Sequence, residues 1–157
     1  MIIDYLKESL YNDDDFGKLE DYIKNKYSDK IVQVAQKVYD DWINSKDKEY
    51  FQDEYAGGGI CHLIADEIIN VLGDDPLLEV RTISYDNEVH VATMVKFSNE
   101  EPDEDGEVRV VTVDIPWRTY ETGGGYNFEP IEDVIFTKRD ITYYSQTMSI
   151  EDWESEF

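Results

Sequence analysis

The chain contains one cysteine, so no internal disulfide can staple it. That composition fits a reducing compartment, and a cytoplasmic location is expected. Histidine is almost as scarce, with only His62 and His90. No run approaches the ~20 apolar residues that a membrane-spanning helix needs. The stretch MIIDYLKESLYNDDDF has neither a basic region nor a long apolar core, so no signal peptide is expected there. Positive charge is thin: 14 Lys and Arg stand against 37 Asp and Glu, a formal net charge of −23. Such a surface repels phosphates and anionic membranes, which argues against direct nucleic acid binding and membrane association. It attracts cations, so a basic protein or peptide is the expected substrate or partner.

Apolar residues are not in short supply. They make up 41% of 157 residues and include twelve tyrosines, six phenylalanines and three tryptophans, enough for one core. A single domain, 1–157, is expected. Residues 1–56 form its helical N-terminal part, with IIDYLKESL, KLEDYIKNKY and SDKIVQVAQKVYDDWINS as separate helices. Ser28 or Asp29 is placed to cap the third. The stretch KDKEYFQDEYAGGG breaks the pattern and reads as a loop. Residues 57–157 then hold one more helix, ICHLIADEIINVLG, and an antiparallel sheet from LLEVRTISY, EVHVATMVKF and EVRVVTVDIPW. DVIFTKRDITYYS supplies one or two further strands, and SIEDWESEF a short final helix begun by Ser149. The fold class is α+β, with N-terminal helices packed on an antiparallel sheet.

The segment SNEEPDEDGE carries six carboxylates between Glu100 and Glu107 and reads as a solvated hairpin loop. It lacks the periodic oxygen spacing of a calcium loop. Cys61 and His62 are adjacent and cannot easily share one ion, so neither metal nor cofactor is expected. Neither glycine run, Gly57 to Gly59 or Gly123 to Gly125, is followed by the Lys and Ser/Thr of a phosphate loop. The second run reads as a flap or a plain turn.

Chemistry concentrates at Cys61. Three glycines lead into it, and a helix begins there, so the thiol lies at the positive end of a helix. Free N–H groups near Gly59 to Cys61 are placed to hold an oxyanion. His62 points about 100° away from Cys61 on a helix and suits a pairing with Asp66 on an exposed face. His90 sits in the best strand, on the face of Ala92 and Met94, and reaches the sulfur if that face covers the Cys61 helix. Asp114 ends the apolar run VRVVTVD, where a carboxylate needs a reason, and orients His90 if the two strands pair antiparallel.

The elements GGGICHLIADEII, EVHVATMV and VVTVDIPW, in the order Cys61, His90, Asp114, resemble the papain-like and transglutaminase-like superfamily of thiol enzymes. The resemblance implies a papain-like or transglutaminase-like core: a helix bearing the nucleophile, packed on a sheet bearing the His and the Asp. It implies a cysteine peptidase, amidase, deamidase or transglutaminase acting on a protein or peptide amide. Asp114 fits the transglutaminase-like pattern, since papain relatives usually carry Asn. A Gln ahead of the nucleophile helps hold the oxyanion in papain relatives, which makes Gln52 a candidate beside Gly59 and Trp117 for oxyanion and substrate binding. His62 stands where papain relatives have an aromatic residue, and Ala92 where transglutaminase relatives often have Trp. The competing reading is a non-enzymatic acidic binding or inhibitor protein, a nucleic-acid charge mimic or an inactive relative of the enzyme fold. It has no need of Cys61 or His90.

Overall fold

A computed structural model describes residues 16–44, 60–85, 90–122 and 129–155. The first helix expected at IIDYLKESL, the loop at KDKEYFQDEYAGGG, Gln52, Gly59 and the glycine run 123–125 lie outside the described residues.

Helix α1 runs unbroken from Phe16 to Asn44. This corrects the expectation of two helices divided at Ser28 and Asp29. Leu19, Ile23, Tyr27, Ile31, Ala35, Tyr39 and Trp42 are all buried, at steps of four, four, four, four, four and three. The apolar stripe crosses Ser28 without a phase break, so one helix buries it whole. Helix α2, Cys61–Gly73, buries Cys61, Ile64, Ala65, Ile68 and Leu72, the predicted stripe. It ends through Asp74, a right-handed cap, rather than through a left-handed glycine.

Four antiparallel strands follow: β1 (Leu78–Tyr85), β2 (His90–Phe97), β3 (Glu107–Asp114) and β6 (Thr142–Ser149), side by side in that order. A separate two-stranded ribbon pairs β4 (Glu121–Thr122) with β5 (Glu129–Pro130). The protein is therefore α+β, helices plus a four-stranded antiparallel sheet. The stretch DVIF forms no strand; β6 starts later, after a 3-10 turn at Lys138–Asp140.

Helices α1 and α2 cover one face of the sheet, α2 over β1 and β2, α1 over β3 and β6. Val95, Phe97, Val111 and Val113 join the helix stripes in the main core. Thr93, on the same face, donates from Oγ1 to the Ala65 carbonyl of α2 at 3.1 Å. The other face of the sheet is covered by the short helix α3, Ile150–Ser155. There Met94, Val108, Val110 and Trp153 form a second cluster. Ser149 Oγ accepts the Asp152 N–H at 3.0 Å, the predicted start of α3. Lys96 is buried on this face, bonded to Glu79 at 3.0 Å and lying over the Trp153 ring. A buried ammonium is tolerable only with such a partner.

The acidic hairpin between β2 and β3 is not wholly solvated. Glu100 is buried, ion-paired with Arg109 Nε at 3.0 Å and accepting the Arg109 N–H at 2.7 Å. Asp103 accepts the N–H groups of Asp105 and Glu107 at 2.9 and 3.0 Å. Two of the six carboxylates thus shape the turn, Glu100 from a buried position and Asp103 from an exposed one. Among the described residues, no group of three or more potential ligands could hold a metal ion. No helix among them is long and apolar enough to cross a membrane.

Candidate active site

The antiparallel pairing of Thr93 with Val113 brings the start of β2 and the end of β3 to the same end of the sheet. His90 is the first residue of β2 and Asp114 the last of β3. His90 Nε2 donates to Asp114 Oδ2 at 2.7 Å. Thr142 Oγ1 in turn donates to the Asp114 carbonyl at 3.2 Å and ties that residue to β6.

The sulfur completes the row. Cys61 opens α2, and its thiol is a hydrogen-bond partner of the His90 side chain. Asp114 occupies Nε2, so Nδ1 is the ring nitrogen left for the sulfur. The contact forms in a way the strand alternation did not indicate. The face of β2 packed against α2 carries Thr93, Val95 and Phe97, whereas Met94 faces Trp153. His90 meets Cys61 because both stand at the ends of their elements, not because its whole face lies under the helix.

The thiol is 3% exposed, yet it belongs to neither apolar cluster. The His90 and Asp114 side chains are each 14% exposed, so the row reaches solvent at its far end. Burial works against charge on His90. The hydrogen bonds to Asp114 and Cys61, with the attraction of both groups, outweigh it and push the imidazole up to about 10. The imidazolium is therefore the prevailing form at neutral pH.

Two more polar side chains converge here. Ile60, the N-cap of α2, has no capping side chain of its own. Its N–H is bonded instead to the Glu121 carboxyl from β4. An amide expected to be free for an oxyanion is thus already taken. Glu121 is buried, and burial raises it to about 7 against the pull of the Ile60 N–H and the His90 charge. Tyr120 is fully buried, its ring set edge-on against Trp42 and Phe136. Burial holds its hydroxyl well above the ordinary phenol range, and the nearby Cys61, Glu121 and Asp114 add to the effect. Neither residue was singled out from the sequence. A Tyr–Glu pair before a glycine run carries no local mark; only the tertiary fold sets it beside Cys61.

The remaining expected residues fall elsewhere. Trp117, in a 3-10 turn, is partly buried against the main core. His62 is half-buried, not on the exposed helix face expected for it. Its position one step from the stripe leaves it at the edge of the packed side of α2. A groove of about 630 Å³ lies between α1 and α2, lined by Lys37, Trp42, Leu63, Glu67 and Asn70 among others; Cys61, His90 and Asp114 do not line it.

Comparison of the chain with models of protein families, with curated proteins and with solved structures found no match.

Proposed function

We propose that the protein is a thiol-dependent acyl-transfer enzyme with a papain-like or transglutaminase-like core. The observation that carries this reading is the connected row of Cys61, His90 and Asp114. Each member has the role its chemistry suits. The sulfur attacks a carbonyl carbon as the thiolate paired with the His90 imidazolium, its proton already held on the ring. The imidazolium then gives a proton to the leaving amine. Asp114 fixes the ring through Nε2 and stabilises its positive charge. A raised imidazole pKa favours the charged form that pairs with a thiolate. The net charge of −23 favours a basic protein or peptide as the amide substrate, by steering encounter rather than by setting the chemistry.

Alkylation of Cys61 by iodoacetamide over roughly pH 5 to 9 tests the row. The expected result is labelling of the folded protein well below the titration range of an ordinary thiol. His90→Ala should slow it by about tenfold or more, and Asp114→Ala by a smaller factor. Labelling that requires denaturant, or that His90→Ala leaves unmoved, would favour the acidic binding protein instead.

A further inference from the structure

Acyl transfer needs a donor for the oxygen that becomes negative as Cys61 attacks. The amide before Cys61 is engaged by Glu121, which sets that carboxyl against the start of α2, where a donor would stand beside the backbone N–H groups. Glu121 is 3% exposed, and its Oε1 is buried with no hydrogen-bond partner among the described residues. Leaving a buried carboxyl oxygen unpaired is costly, unless the group stays neutral or the oxygen awaits a ligand. The groups that bear on it are the Ile60 N–H from α2, the His90 imidazole from β2 and Tyr120 beside it in the chain. The Tyr120 hydroxyl is also buried without a partner, and Cys61 and Asp114 act on it as well.

We propose that Glu121, as a neutral carboxylic acid anchored on the Ile60 N–H, donates the side-chain hydrogen bond to the oxyanion formed when Cys61 attacks. The inference rests on the acyl-transfer reading above. In the step itself the S–C bond forms as the carbonyl π pair moves onto oxygen. On collapse that pair returns, the bond to the leaving group breaks, and the leaving group departs with its electron pair. Glu121 keeps its proton throughout. Since burial holds Glu121 near 7, the donor is present below that pH and is lost as pH rises through it.

Two probes separate this role from a structural one. p-Nitrophenyl acetate acylates a thiol through an oxyanion, whereas iodoacetamide reacts by displacement at a saturated carbon and forms none. In Glu121→Ala, Cys61-dependent p-nitrophenolate release should fall by about 100-fold while alkylation changes by less than about threefold. Glu121→Gln, a neutral donor of the same shape, should retain release within about fivefold and lose the pH step near 7. The proposal is overturned if release survives in Glu121→Ala, if both reactions fall together in both variants, or if Glu121→Gln keeps the step. Should Glu121→Ala fail to fold by circular dichroism, Glu121→Gln decides alone. Wild-type release no faster than that of Cys61→Ser overturns the enzyme reading itself, and this inference with it.

Discussion

His90 and Glu121 both hold their protons more tightly folded than unfolded, moving from 6.5 to about 10 and from 4.5 to about 7. For a raised pKa, stabilisation is complete below the unfolded value and is lost as pH rises through the folded one. The Glu121 contribution should therefore fade between 4.5 and about 7, and that of His90 between 6.5 and about 10. Urea unfolding across this range should show stability falling with pH. Glu121→Gln should flatten the lower part of the curve and leave the upper part; an unchanged lower part would contradict the buried carboxyl. Cys61, His90 and Asp114 were readable in the sequence because each interrupts its surroundings. One is a lone thiol after glycines, one an imidazole in an apolar strand, and one a carboxylate at the end of an apolar run. Tyr120 and Glu121 interrupt nothing, and their significance arises only from packing.

The helices and strands were readable where periodicity was uninterrupted, and misjudged where a polar residue looked like punctuation. Ser28 sits inside α1 because the flanking turns already bury Tyr27 and Ile31. Helical hydrogen bonding and burial on both sides outweigh the local preference of serine for a cap. The same helix is fastened near its N-terminal half by a carboxylate. Asp75 Oδ2 accepts from the Tyr22 and Tyr27 hydroxyls, each at 2.6 Å, and from Lys26 at 3.2 Å. Its Oδ1 accepts the Leu77 N–H at 2.9 Å. Burial pushes the Asp75 pKa up, but these four bonds outweigh it and leave the group below the usual carboxylate value. Its contribution is thus present above the unfolded value and lost in acid. Asp75→Ala should cost about 2–4 kcal/mol by urea unfolding at neutral pH, since it leaves two phenol hydroxyls without their acceptor. A loss under about 0.5 kcal/mol would show the clamp to be ornamental.

The whole molecule carries its excess negative charge on a compact frame, and such a frame repels itself. Raising salt from near zero to about 0.3 M NaCl should increase the melting temperature by several degrees and then level off. A melting temperature that does not move would mean that the excess carboxylates stand too far apart for their repulsion to weigh on folding. The global order, helices followed by an antiparallel sheet, was readable because the apolar period changes from helical to alternating after Gly73. The meeting of helix start and strand ends was expected on condition that the two strands pair antiparallel and the helix lies over them; the share of the ribbon in the site was not expected, because it depends on tertiary packing.

The placement of the sulfur sets a kinetic condition on whatever meets it. Cys61 lies under cover, near a phenol ring wedged against Trp42, which itself belongs to the long helix. A small electrophile needs only a brief gap, whereas a polypeptide needs the cover displaced. For the nucleophile proposed above, selection by size would follow, with small electrophiles reaching the sulfur ahead of bulky ones.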